Sequence, residues 1–160
     1  MADAISKVFA IMLHERIDKW CTDKKIMREE QIGGKKKSRP ADHMFVLRTL
    51  IDTYNRTGKK LYTCFVDFQK AFDSVWRSGM IYKLLKYGLN MDYVKAIDSM
   101  YSKTSICLKM NNCLTPQFRT YCGVKQGCIL SPKLFNLFIN DIPSIFDSTL
   151  FSSITWQKIP

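Results

Sequence analysis

The sequence predicts a mixed α/β (α+β) fold of several helices, a buried strand and a β-hairpin. Three observations lead there. Apolar residues recur at helical spacing over 5–20, 42–54, 79–87, 91–101 and 132–142. Residues 61–68 (Leu-Tyr-Thr-Cys-Phe-Val-Asp-Phe) are aromatic and β-branched and lie between turn residues, the pattern of a buried strand. Residues 105–120 alternate Ile106, Leu108 and Met110 with polar positions, then reach Asn111-Asn112, which tolerates positive φ and turns the chain into a hairpin.

In chain order, the first helix carries Ile5, Val8, Phe9, Met12, Leu13, Ile17 and Trp20 on one face. Its other face mixes Lys7, Glu15, Arg16 and Lys19, so a core-facing helix is expected rather than a membrane-surface one. A polar stretch over 21–40 contains Gly33-Gly34 and then Lys35-Lys36-Lys37-Ser38-Arg39-Pro40, a loop or hairpin. The second helix starts at Asp42 as its cap and ends before Gly58. The helix over 79–87 stops at Gly88, and the next keeps Val94, Ile97 and Tyr101 in register. Ser131-Pro132 starts the last helix, as cap and first-turn proline. The segment after Asp147 has no clear helical period.

Bulk composition narrows the function classes. The chain has 160 residues, 46% hydrophobic and 24% charged, which is enough for one domain with its own core. No apolar run approaches the roughly 20 residues that span a bilayer, so no membrane role is expected. No basic leader precedes an apolar stretch, so the protein is expected to be intracellular, in nucleus or cytoplasm, and not secreted. The formal net charge of +11 favours a polyanionic partner, nucleic acid first among them, although a merely solvated basic surface has the same composition. The six cysteines include no Cys-x-x-Cys pair and are expected to be reduced, mostly buried thiols. His14 and His43, both on helices, are expected to be surface or locally bonded rather than metal ligands.

Two segments carry possible chemistry. The first is Phe65-Val66-Asp67-Phe68-Gln69-Lys70-Ala71-Phe72-Asp73-Ser74. A carboxylate ending an apolar strand is costly unless exposed, paired or bound to a cation. Magnesium suits it, since that ion takes oxygen ligands. Taken alone, Asp67 reads first as a structural residue, such as a cap of the following turn. The second is Gly123-Val124-Lys125-Gln126-Gly127-Cys128-Ile129-Leu130-Ser131-Pro132. Glycines let backbone approach a ligand closely, and Lys125 and Gln126 offer bonds to a base or phosphate; alone, this reads first as an ordinary glycine-rich turn entering a helix.

Together, in this order, the two segments resemble motifs A and B of reverse transcriptases, and the non-LTR (LINE-type) retrotransposon branch in particular. The stretch from Glu30-Gln31-Ile32-Gly33-Gly34 to Pro40-Ala41-Asp42-His43 resembles that branch's fingers motif, and Ser6-Lys7-Val8-Phe9 the segment before it. The resemblance implies a partial right-hand polymerase fold, with fingers helices and a palm whose antiparallel sheet is backed by helices. It implies a division into a fingers-like part over 1–60, a partial palm over 61–147 and an irregular tail over 148–160. Asp67 would be a ligand of two catalytic magnesium ions, helped by the backbone carbonyl of Phe68. Phe72 would lie beneath the sugar of the incoming nucleotide. Gln126 and Gly127 would line the nucleotide pocket, with Lys35 facing the triphosphate. Lys36, Lys37, Arg39 and Lys125 would hold nucleic acid. The implied partners are an RNA template, a DNA primer and a deoxynucleoside triphosphate. The implied chemistry is two-metal nucleotidyl transfer.

The departures bear on activity. The family's third acidic element, an aromatic-Ala-Asp-Asp turn, has no counterpart, since these 160 residues contain no adjacent Asp pair. Gly34 stands where the family has an aromatic residue, Lys37-Ser38 where Gly-Arg is usual, and Pro40 for a small polar residue. The basic residue that usually opens the first motif is missing from Met1-Ala2-Asp3-Ala4. One carboxylate organises two magnesium ions poorly, so this chain alone is expected to be catalytically incomplete. Its strand over 61–68 is then expected as an exposed edge, and the helix over 132–142 is expected to lack part of its cover. A basic remnant that grips RNA or RNA–DNA hybrid without copying, and a non-functional product of a decayed element, are the competing readings.

Overall fold

The computed structural model describes residues 4–28, 31, 33, 39–102, 104–110 and 113–144. Its order is α1 (Ala4–Asp23), α2 (Pro40–Arg56), α3 (Arg77–Lys86), α4 (Met91–Ser102), β1 (Ser105–Ile106), β2 (Lys109–Met110), β3 (Cys113–Leu114), β4 (Phe118–Arg119) and α5 (Ser131–Ile139). The mixed helix and antiparallel-strand class expected from the sequence is present.

Every helix predicted from periodicity forms, because that signal is local. The start of α2 moves. Pro40 is already helical and Arg39 is the flanking residue, while the Asp42 carboxylate accepts a bond from the Arg39 N–H at 2.9 Å. Asp42 is therefore not the cap itself, as expected, but reaches back from the third helical position to satisfy an orphan donor. Proline fits the first turn because it has no N–H to leave unpaired.

The core joins the C-terminal half of α1 to α3, α4 and α5. Ile17, Leu84, Ile97, Leu134 and Leu137 are fully buried. α3 packs against both α4 and α5. On the apolar face of the last helix Leu134 and Leu137 are fully buried, while Phe135, Phe138, Ile139 and Ile142 are only partly buried, so part of that face lacks full cover, as expected. Lys83 of α3 donates to the Phe138 carbonyl and pairs with Asp141 at 2.5 Å. Lys133 of α5 pairs with Asp18 of α1 at 2.5 Å.

The hairpin is in place, with β1 antiparallel to β4 and β2 to β3. Its expected turn at Asn111-Asn112 lies outside the described residues. The strand expected over 61–68 is not a strand. That segment is extended but unpaired, with Tyr62 85% and Phe65 81% exposed. The physical reason is that a strand needs a neighbour for its backbone groups, and among the described residues none lies alongside. The first half of α1 also departs from expectation. Ile5, Val8, Phe9 and Met12 are exposed, because the core reaches only as far as Ala10 and Leu13. No residue of α2 is buried.

The thiols correct another expectation. All six are free, but only Cys21 is buried; Cys64, Cys107, Cys113 and Cys122 are exposed. Four of them sit on the unpaired segment, the small hairpin or its exit, where little covers a side chain. Burial is the main cause that pushes the Cys21 thiol up to about 11, against an ordinary 9.0; Lys133 opposes it. A raised pKa in the folded state favours the neutral thiol. The contribution is complete below pH 9.0 and is lost as pH rises towards about 11. Thiol labelling of the native chain is expected to modify the exposed cysteines first and Cys21 last, since only the thiolate reacts. Mass-spectrometric mapping over time checks the order, and early modification of Cys21 would contradict this packing.

His14 shows a further difference from expectation. Its Nδ1 is buried and has no partner among the described residues. Among those residues, no helix is long and apolar enough to cross a membrane.

Candidate functional site

The two chemical segments meet through the main chain. The Val124 N–H donates to the Phe72 carbonyl at 2.8 Å, and the Gly123 N–H donates to the Val75 carbonyl at 2.8 Å. Gly123 has φ +83°, and a Cβ there would stand 2.8 Å from the Asp73 carbonyl oxygen. Only glycine permits both that conformation and that approach. An antiparallel bridge between Trp76 and Cys122 extends the junction by one step.

Side chains complete it. Gln126 donates from Nε2 to Asp73 Oδ1 at 2.8 Å. The Phe72 ring packs on Phe135 of α5 with centroids 5.2 Å apart, and Phe68 meets the same ring edge-on at 6.1 Å. Phe72 is thereby half-buried and held from below by the helix that follows the glycine-bearing turn. The turn has its own anchor, for Ser131 Oγ donates to the Lys125 carbonyl at 2.6 Å. Gly127 has φ +78° and open space where a side chain would be. That leaves its backbone approachable.

Arg77 braces the junction from behind. Its guanidinium donates to the Gly123 carbonyl at 2.8 Å, the Tyr101 carbonyl at 3.2 Å and Thr120 Oγ1 at 3.1 Å, and also to the Thr120 carbonyl. It also lies 5.4 Å above the Tyr101 ring. Burial is the main cause that raises the Tyr101 phenol above its ordinary value, with a bond to Ser131 opposing it.

The remaining expected residues are more dispersed. Asp67 and Phe68 are exposed on the unpaired segment. Lys125 is exposed, with Nζ 5.9 Å from the Tyr101 ring centroid. Arg39 is exposed beside the start of α2. Lys35, Lys36 and Lys37 lie outside the described residues. Among the described residues no three His, Cys, Asp or Glu side chains gather as a metal site. Asp67 and the Phe68 carbonyl are therefore a short donor set for a pair of magnesium ions, which need near-octahedral oxygen coordination.

Some structural residues escaped the sequence reading. Asn136 on α5 and Asn140 just past its C-terminal end are buried. Asn140 accepts from the Arg28 N–H at 3.1 Å and donates to the Ile26 carbonyl at 3.0 Å. Asn136 donates to the Gly33 carbonyl. These bonds moor the chain on the near side of the basic loop to the helix of the second segment. A signal existed, for amides inside an otherwise apolar helical face must find partners when buried. Arg77 left no such signal, because its partners are mostly backbone carbonyls, which every residue type carries.

The junction thus clasps an aromatic-flanked carboxylate segment to a glycine-turn-helix segment within a mixed α/β chain. The family model for reverse transcriptase (RNA-dependent DNA polymerase) matches residues 2–157, and the chain belongs to that family. It is similar to a probable RNA-directed DNA polymerase from transposon BS of Drosophila melanogaster, 24% identical over 89% of this chain and 16% of that protein. The RNA-directed DNA polymerase from mobile element jockey of Drosophila funebris is 34% identical over 54% of this chain and 10% of its own length. The transposon TX1 uncharacterized 149 kDa protein of Xenopus laevis is 35% identical over 61% of this chain and 8% of its own length. The domain is thus of the non-LTR retrotransposon kind, and it spans only a small part of these relatives. No solved structure matches it.

Proposed function

We propose that this chain is the fingers and partial palm of an RNA-directed DNA polymerase, and that it forms the wall against which the incoming nucleotide rests. The observation that carries this reading is the junction itself. Two main-chain bonds at 2.8 Å hold the Phe72 segment against the Gly123 turn, and Gln126 closes over it. In this reading residues 1–60 are fingers, 61–147 partial palm and 148–160 a tail. Phe72 supports the sugar, while Gln126 and the open backbone of Gly127 line the pocket. Lys35 addresses the triphosphate, and Lys36, Lys37, Arg39 and Lys125 grip template and primer. Basic side chains suit that task because phosphate contacts are independent of sequence.

Asp67 is the residue of this chain that would hold magnesium, with the Phe68 carbonyl beside it. The ions would activate the primer hydroxyl and neutralise the departing pyrophosphate in the complete enzyme. The donor set here is short of that requirement, so the chain on its own is expected not to copy. Incubated with RNA template, DNA primer, deoxynucleotides and magnesium, it is expected to extend primer no more than an Asp67→Ala control. Extension that Asp67→Ala abolishes would overturn the incompleteness and place a working centre in these residues.

The net charge of +11 favours a second reading, a basic module that binds RNA or RNA–DNA hybrid without catalysis. Hybrid binding should then weaken steeply with salt and with neutralisation of Lys35, Lys36, Lys37 and Arg39. Binding indifferent to both would remove that reading.

A further inference from the structure

We propose that Asp73 is a positioning residue that fixes the orientation of the Gln126 amide, so that its oxygen and not its nitrogen faces the nucleotide. The inference rests on the nucleotide-wall reading above and deepens it. A glutamine amide has a donor end and an acceptor end of nearly equal size, and on an exposed turn it is free to present either. Gln126 is on such a turn. What removes the freedom is the group it meets.

Asp73 is held at the level of the backbone. Its N–H donates to the Lys70 carbonyl at 2.9 Å, and Lys70 itself turns through φ +52°. The carbonyls of Phe72 before it and Val75 after it each accept a bond from the opposing turn, and Gly123 closes on its carbonyl. The carboxylate therefore projects from a fixed base, 2.8 Å from Gln126 Nε2. An ionised carboxylate only accepts hydrogen bonds. The opposite orientation would set the amide oxygen against a negative oxygen, which is repulsive. One N–H of Nε2 is thus committed to Asp73, and Oε1 is the acceptor left for a ligand.

The consequence is chemical. An outward carbonyl oxygen backed by a carboxylate accepts a bond from a donor, a hydroxyl or amino group of the nucleotide's sugar or base. It repels phosphate oxygens. Gln126 then reads the nucleoside part, and the triphosphate must rest elsewhere on the wall.

The test begins with the amide itself, in the full 160-residue chain labelled with nitrogen-15. The Gln126 side-chain NH2 signals are assigned by their loss in Gln126→Leu. Asp73→Ala is expected to move them to the positions of a free glutamine. Asp73→Asn, whose amide can donate as well as accept, is expected to move them part of the way, since either orientation of Gln126 then finds a partner. Unmoved signals in Asp73→Ala overturn the proposal, whatever the chain binds. Titration with dATP and magnesium is the second measurement. Loss of one bond's orientation is expected to weaken dATP about two- to tenfold in Asp73→Ala, with Asp73→Asn between that variant and wild type. Gln126→Leu combined with Asp73→Ala should lose no more than Gln126→Leu alone. An Asp73→Ala chain that binds dATP as wild type does overturns the proposal. Failure of the wild type to bind dATP, with the amide signals behaving as expected, overturns the nucleotide-wall reading and leaves the Asp73–Gln126 pair standing.

Discussion

Replacing Gly123 by alanine is expected to cost about 3 kcal/mol of stability, enough to lower the melting temperature by roughly 6–12 °C in a chain of this size. Two separate effects add. The residue sits at φ +83°, where an L side chain is strained by about 1–2 kcal/mol. The new methyl would also stand 2.8 Å from the Asp73 carbonyl oxygen and 3.0 Å from its Cα, both backbone atoms that cannot swing aside. The clash can be relieved only by parting the two segments, which breaks the bonds from Gly123 to Val75 and from Val124 to Phe72. Gly88 supplies the control. It has φ +79° but nothing within 4 Å of an added Cβ, so Gly88→Ala should show the strain alone. Thermal melts of the two variants decide the matter. Equal losses would mean that the close approach of Gly123 to Asp73 contributes nothing.

Arg77→Met is the second large effect. The substitution keeps an apolar stem and removes the guanidinium, leaving the carbonyls of Gly123, Tyr101 and Thr120 without that donor. Hydrogen bonds from a charged donor contribute about 1.5–3 kcal/mol each, though they do not add fully and water will replace part of the set. A total loss of about 3 kcal/mol is expected. Arg77→Lys should recover only a fraction, because an ammonium cannot reproduce the planar fork that reaches several acceptors. Urea unfolding of the variants measures both losses. A change below about 0.5 kcal/mol for Arg77→Met, the range of ordinary surface substitutions, would show that the brace carries no weight.

Legibility differed by kind of signal. The helices could be read because periodicity is a local property, and all of them formed. The motif order around Asp67 and Gly123 was equally visible and led to the family. The segment over 61–68 had the right residues for a strand, yet it stays unpaired and largely exposed. Composition states what a strand would bury, whereas pairing depends on what lies beside it. The same holds for α1, whose apolar stripe runs from Ile5 to Trp20 but finds a core only from Ala10 onwards. The cysteines were misjudged for this reason too, since residue type sets a preference for burial and neighbours decide it.

The candidate site divides along that line. Phe72, Gln126 and Gly127 were legible as members of motifs, and the structure sets the first two against a shared junction. Asp73 stood in the same motif with no role attached, because nothing local shows that it meets Gln126. Asn136, Asn140 and Arg77 hold the surroundings through bonds to backbone atoms far along the chain. The sequence by itself determined the helices, the basic charge and the membership of the reverse transcriptase family, all of which rest on residues close together in the chain or in fixed order. Only the tertiary structure decided that Gly123 closes on Asp73, that Arg77 braces the turn and that the Asp67 segment is left open. Each of those depends on contacts between residues distant in sequence, where packing and backbone hydrogen bonds, rather than residue type, select the partner.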